Sequence, residues 1–357
     1  MRRFFSFCTA AALAVFCLTG LAACTGRNRA DVHVFYYSYS DTYISTVRSA
    51  LDRKLSAAGI PYQDYDGNSN QTTQTEQIQT AITKGARMIV VNVVTTGSDE
   101  AAASIVNMAK NAKIPVVFFN REVSDKVVNS YDRCAFVGTD AAEAGHMQGE
   151  MVGEYVRDHF SEVDRNGDGQ ISYVCFMGEK GNSEAIYRTR YGVEDADAVL
   201  SAAGLKPLVF YDAANSDGYL VDRDGKWSAA AANEYMTTIF TAYNDANNNM
   251  VELVICNNDG MAEGAVSALN TIGYNLPGGD KFIPVFGVDA TDAAKNLIAK
   301  GSMVGTIRQD SDGMAQALTT LVENGLAGAA LLKNTGIYTV DDHVAKIRIA
   351  YAKYLGE

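Results

Sequence analysis

The chain has 357 residues, 47% of them hydrophobic, and a formal net charge of −12. That length is enough for two lobes with separate cores, and the acidity makes nucleic acid a poor partner. The four histidines are scattered with none at zinc spacing, and no Ser/His/Asp or Cys/His arrangement points to a nucleophilic enzyme.

Arg2 and Arg3 precede an apolar run over residues 4–21. The run is too short for a spanning helix and has the layout of a secretory leader. It ends in Leu21-Ala22-Ala23-Cys24, a lipobox. Cleavage before Cys24 leaves that cysteine as the acylated N-terminus, and several acyl chains give stable anchoring. Residues 1–23 are therefore expected to be a signal peptide and residues 24–31 a tether. The mature part is exported and held at a membrane, at the cell surface or in the periplasm.

The body alternates strand and helix. A strand is expected over 32–37, followed by a helix capped by Asp41. Ile44, Val47, Leu51 and Leu55 fall on one buried stripe of that helix. Strands follow over 62–66, 88–94, 115–119 and 135–137, with helices near 71–84 and 98–112. A second set of strands covers 171–177, 208–211, 253–256, 283–286 and 303–307. Repeated strand–helix units with apolar strands imply α/β lobes, each a doubly wound parallel sheet covered on both faces. Cys175 and Cys256 lie inside apolar runs and read as small buried hydrophobes, although a pairing among these two and Cys134 stays open.

Residues 164–172 carry the first nine positions of an EF-hand-type calcium loop. Asp164, Asn166 and Asp168 supply oxygen side chains at positions 1, 3 and 5, Gly169 stands at the sharp turn, and Gln170 offers a backbone carbonyl. Position 12 is Cys175 inside a strand, so a last carboxylate has to come from elsewhere. The same composition is also good turn chemistry.

Ligands of open α/β sheets bind outside the carboxyl ends of the strands. The polar residues there are Asp41, Asn120, the segment 179–188, Asn258 with Asp259, Asp289, and Arg308 with Gln309. No phosphate-cradling glycine loop is among them, which points to a neutral ligand rich in hydroxyls. Tyr43 and the single tryptophan, Trp227, could cover its apolar face. Trp227 stands in the polar loop 222–228, where burial is not expected.

Several segments in order carry a family resemblance: Tyr39-Ser40-Asp41-Thr42-Tyr43, the strand 115–119 with Asn120, Val137-Gly138-Thr139-Asp140, residues 164–170, Gly178-Glu179-Lys180-Gly181, Cys256-Asn257-Asn258-Asp259, and Val285 to Ala290. From about Val32 to Tyr351 the chain resembles the galactose/glucose receptors of bacterial ABC importers, which are type I periplasmic binding proteins. The resemblance implies two lobes joined by three crossovers, near Thr139-Asp140, Arg308-Gln309 and Ala350-Tyr351. The first lobe would hold residues 32–139 and 310–350, and the second 140–309 and 351–357. It implies a sugar site of Asp41, Tyr43, Asn120, Asn182, Glu184, Arg188, Trp227, Asn258, Asp289 and Gln309, with Tyr43 and Trp227 sandwiching the pyranose. Tyr43 stands where the pattern has Phe, Asn182 where it has His, Glu184 where it has Asp, and Gln309 where it has Asn.

By the same resemblance Glu252 is the remote calcium ligand and Ser172 stands at position 9, giving a structural calcium site of Asp164, Asn166, Asp168, Gln170, Ser172 and Glu252. The implied partners are a hexose, the importer's permease and a chemoreceptor. A receptor for another sugar such as a pentose is the alternative ligand class. Asp41, Glu184 and Asp289 as glycosidase carboxylates form the enzyme alternative, which no feature of the sequence supports.

Overall fold

The computed structural model describes residues 30–356. The leader, Cys24 and most of the tether lie outside the described residues. The first sheet starts with β1 (Val32–Tyr36), β2 (Tyr62–Asp66), β3 (Met88–Val91), β4 (Val116–Phe119) and β5 (Cys134–Gly138). The second contains β6 (Ser172–Met177), β7 (Val209–Phe210), β8 (Leu220–Val221), β9 (Leu253–Cys256), β10 (Val285–Asp289) and β11 (Gly305–Gln309). Three short strands follow: β12 (Thr339–Val340), β13 (Lys346–Arg348) and β14 (Tyr351–Tyr354).

Strand order in the first sheet is β12-β13-β5-β4-β3-β1-β2, and in the second β14-β11-β10-β9-β6-β7 with β8 also beside β6. All neighbours are parallel except β12–β13 and β11–β14. Both sheets are therefore parallel with one antiparallel edge. The central strands β1, β3, β4 and β9 are buried along their whole length, as strands covered by helices on both faces must be. In β2 every residue keeps some exposure, which suits an edge strand with polar side chains.

The chain passes between the sheets three times. After β5 the helix Ala141–Asp158 places Ala144, Met151, Val152 and Val156 in a core with Tyr173 and Cys175 of the second lobe. After β11 the helix Ser311–Leu326 returns Met314, Leu318, Leu321 and Val322 to a core with Val34, Val47 and Leu51 of the first. Between β13 and β14 only Ile349 and Ala350 separate the two sheets.

Most strand positions agree with the sequence reading, with shifts at their ends. Strands expected over 283–286 and 303–307 lie two residues later at their starts and extend to Asp289 and Gln309. Those polar residues end the strands rather than follow them. Pro284 lacks an N–H for the ladder, and the cleft beside Asp289 and Gln309 makes a polar strand end tolerable. The expected strand over 88–94 stops at Val91, where Asn92 turns its side chain into hydrogen bonds with Tyr37 N and Phe119 O. β8, β12, β13 and β14 have only two to four residues each, too few to show a period in sequence.

Candidate functional site

A cleft of about 360 Å³, open solvent included, lies at the carboxyl ends of the strands. It is lined by all ten expected residues: Asp41, Tyr43, Asn120, Asn182, Glu184, Arg188, Trp227, Asn258, Asp289 and Gln309. Tyr37, Ile44 and Arg121 line it as well. These three were missed. Tyr37 was read as the end of a core strand and Ile44 as core, while Arg121 directly follows Asn120 and could have been taken with it.

Helix starts position much of this wall. Asp41 caps the helix Thr42–Ala57, its Oδ1 accepting from Ile44 N at 2.7 Å. Its Oδ2 accepts from the Tyr37 hydroxyl at 2.6 Å. Asn182 caps Ser183–Ala202 through Ala185 N, and Asn258 caps Asp259–Thr271 through Met261 N. Capping uses one oxygen acceptor. The remaining lone pairs and the Asn182 amide N–H groups stay available at the cleft. The Asn258 amide donates to Trp227 O at 3.2 Å and so helps hold the tryptophan loop.

Four of the eleven non-glycine residues with positive φ among the described residues lie at or beside the cleft. Asn120 has φ 61°, Trp227 φ 56°, Asp289 φ 126° and Ala290 φ 56°. Non-glycine residues in this region are uncommon, and such outliers collect at binding and active sites.

Trp227 is buried, with 8% of its surface exposed, contrary to the expectation from its polar loop. The reason is Gly178: a Cβ there would come within 2.1 Å of the indole ring. The glycine leaves a flat floor on which the ring lies beside Met177 and Ala185. Tyr43 is also buried, and its hydroxyl points to Met314 Sδ at 3.9 Å in the first lobe. The hydroxyl that distinguishes it from phenylalanine thus meets the lobe's own core.

The electrostatics centre on Arg188. Its Nη1 donates to Asn257 O at 2.9 Å, and its Nη2 to Tyr351 Oη at 2.9 Å and Gln309 Oε1 at 3.3 Å. Asp289 lies 4.0 Å away. Burial opposes the Arg188 charge, but Tyr351, Asp289 and Glu184 together hold its proton more firmly than usual. Burial raises the Asp289 and Glu184 carboxyls, and Arg188 draws both back down. Both Glu184 carboxylate oxygens, Arg188 Nε and Gln309 Nε2 are buried without a hydrogen-bond partner. Buried polar groups are rarely left so, and these line one cleft.

Asp259 does not line the cleft. It sits behind it, accepting from Thr306 Oγ1 at 2.6 Å and Thr291 N at 2.7 Å. Burial pushes its carboxyl up to about 7.

The residues expected to hold calcium lie on one loop, 164–172, and on Glu252, which hydrogen-bonds to that loop. Asp164 accepts from Gly167 N and Gly169 N, Asn166 from Asp168 N, and Asp168 from Gln170 N, all at 2.8–3.0 Å. Glu252 reaches across from the second lobe's sheet. Its Oε1 accepts from Arg165 N at 2.8 Å, and its Oε2 from Ser172 N at 2.8 Å and Ser172 Oγ at 3.0 Å. Burial raises the Glu252 carboxyl, and these hydrogen bonds offset part of that. The donors are all oxygens, the chemistry calcium takes. Among the described residues, however, no three acidic, histidine or cysteine side chains gather as a metal cage. Glu252 is turned to backbone amides instead.

Cys134, Cys175 and Cys256 are buried free thiols. Burial pushes the first two up to about 12, so none is a reactive thiolate.

Residues 32–330 match the family described as periplasmic binding protein domain. The chain is 32% identical to a D-galactose/methyl-galactoside binding periplasmic protein of Haemophilus influenzae, over 91% of this chain and 89% of that one. Its fold is similar to that of an ABC transporter solute binding protein of Bacillus halodurans with bound myo-inositol, at TM-score 0.68 and 21% identity, covering 93% of this chain and 96% of that one. It is similar also to an ABC transporter solute binding protein of Clostridium phytofermentans with bound β-D-glucose, at TM-score 0.68 and 18% identity, covering 91% and 93%. The chain belongs to the periplasmic binding protein family, and it is a binding protein rather than an enzyme.

Proposed function

We propose that this protein is the extracytoplasmic receptor of an ABC sugar importer and binds D-galactose and D-glucose between its lobes. The observation that carries this reading is the set of buried, unpartnered groups at the cleft: Glu184 Oε1 and Oε2, Arg188 Nε and Gln309 Nε2. A ligand bearing hydroxyls on every side satisfies donors and acceptors together, and Tyr43 and Trp227 offer ring faces to its C–H surface. The Haemophilus influenzae relative favours galactose among such ligands. The myo-inositol bound in the Bacillus halodurans structure supports a second reading, a different polyol or sugar in the same cleft. A ligand screen on stripped protein by thermal shift, followed by calorimetry, separates the two. Binding of both hexoses supports the first reading, and tight binding of another polyol alone supports the second.

Two further assignments belong to this reading. Calcium would be held by the side chains of Asp164, Asn166 and Asp168, the Gln170 carbonyl and Glu252, with Ser172 at the water-linked position. It would tie the loop to β9 as a stabilising ion. Acylation at Cys24 would fix the receptor at the membrane beside its permease, and a chemoreceptor could read the closed form.

A further inference from the structure

Arg121 is 4% exposed and lines the cleft. Its Nη2 donates to Val94 O at 2.9 Å, and the guanidinium lies 4.2 Å from the centre of the Tyr37 ring. Both holds belong to the first lobe. The same Nη2 donates to Glu179 Oε2 at 2.7 Å. Glu179 follows β6 in the second lobe, where its Oε2 also accepts from Trp227 Nε1 at 3.4 Å. Gly225, in the tryptophan loop, leaves room for it: a Cβ there would sit 3.2 Å from Glu179 Cγ. On the other side Tyr37 donates to Asp41. A continuous relay, Asp41–Tyr37–Arg121–Glu179–Trp227, thus runs across the cleft and ends on a site residue of each lobe.

We propose that Arg121 and Glu179 form an interlobe latch, made only when the lobes are closed, that slows release of the bound sugar. The inference rests on the receptor reading of the cleft. Each partner is held by its own lobe, so any opening pulls the two charges apart. In the structure their side chains are 5% and 22% exposed, so bulk salt screens them less than a surface pair. Pairs of this kind act mainly on dissociation, whereas rim charges act on encounter. The shared carboxylate also couples the latch to the position of Trp227.

The test uses Arg121→Gln, Glu179→Gln, both together, and the charge swap Arg121→Glu with Glu179→Arg. Glu179→Gln keeps an oxygen for Trp227 Nε1 and removes only the charge. D-galactose release is followed by Trp227 fluorescence in stopped flow. Lobe separation in the ligand-free protein is followed by energy transfer between labels on the two lobes. Each single variant should release galactose roughly tenfold faster with association little changed, a fold-change typical of a partly buried pair. The double variant should be no worse than either single one, and the swap should recover part of the loss. The closed fraction of free protein should fall in each single variant. Release unchanged in the single variants, or effects that multiply in the double variant, would overturn the latch. If wild-type protein binds no galactose, the sugar assignment fails by itself. The lobe-separation arm then decides, and an unchanged closed fraction in both single variants rejects the latch.

Discussion

Arg188 Nη2 meets the Tyr351 hydroxyl at 2.9 Å, and that one contact joins the ligand cleft to the hinge. Tyr351 opens β14 just after the third crossing, and its hydroxyl shares a 2.8 Å hydrogen bond with Thr139 at the first. Arg188 also touches Gln309, the last residue before the second. A cleft residue therefore contacts, directly or through one hydroxyl, all three strands of chain that must bend when the lobes move.

Tyr351→Phe removes both hydroxyl contacts and keeps the ring. A hydrogen bond to a charged group is worth roughly 1.5–3 kcal/mol, so hexose affinity should drop at least about tenfold. The melting temperature should fall as well, because the buried Thr139 hydroxyl loses the same partner. Calorimetry and thermal melts on the same preparation check this. Unchanged affinity would mean that Arg188 is positioned without the hinge.

Gly178→Ala should weaken sugar binding through Trp227. Gly178 has no positive φ, so alanine suits its backbone, but the new methyl meets the indole at 2.1 Å. The ring has to lift off its floor. Quenching and emission of the single tryptophan should change in the free protein, and affinity should fall about as far as in Trp227→Ala. A spectrum and affinity matching wild type would show that the loop absorbs the methyl.

How much of this site could be read from sequence depends on where its residues sit. Asp41 was legible as the cap of a helix after a strand and Asn258 as a polar residue past one, while Asn182 was singled out only by the family resemblance, and its capping role emerged from the structure. Asp289 and Gln309 were legible in kind but placed outside strands that in fact end with them. Arg121 was legible only as the neighbour of Asn120, and Tyr37 not at all: their role comes from a contact across 58 residues and a ring stacked under a guanidinium, which spacing does not encode. Burial of Trp227 was hidden for the same reason, because its partner is a glycine 49 positions earlier, on another element. The core was read well wherever strands were long and apolar, and poorly for β12, β13 and β14, whose place is set by the sheet edge they complete.

Calcium removal should lower the melting temperature. A ligand bound only by the folded state stabilises it by mass action, and in the proposed site Glu252 would tie the loop to the sheet. EGTA should therefore lower Tm in wild type and have less effect in Glu252→Gln. Calorimetry on stripped protein should show uptake of calcium, and no uptake would remove the ion from the account.

The stability that Asp64 and Asp259 contribute should fall as pH rises from about 4 to about 8. Burial and the neighbouring Asp52 push the Asp64 carboxyl up to about 8, and burial pushes Asp259 up to about 7, from a usual value of 3.8. Both acids hold protons more tightly folded than unfolded. Over this window these two groups bind more protons folded than unfolded, so through them raising pH favours unfolding. Asp64→Asn cannot ionise there. Its Tm should gain on wild type steadily across the window, with the two closest below about pH 4. Melts in overlapping buffers that run parallel would contradict this.

Cys24→Ala should move the protein from the membrane fraction to the soluble exported fraction, since several acyl chains are what makes such anchoring stable. Fractionation with mass spectrometry of the mature N-terminus reads the outcome. Retention of the variant on membranes, with no lipid found on wild type, would remove the anchor.

Calorimetry of the ligand-stripped protein with D-galactose and D-glucose tests the central claim most directly. In the proposed site a carboxylate at Asp41 would accept from an axial or an equatorial 4-hydroxyl, because its oxygens present several lone-pair directions. Both epimers should bind well below millimolar, and Asp41→Ala should weaken both by about tenfold to a hundredfold, the loss of a charge-assisted hydrogen bond. Binding of neither hexose below millimolar, with tight binding of a pentose, an inositol or a non-sugar, would contradict the assignment.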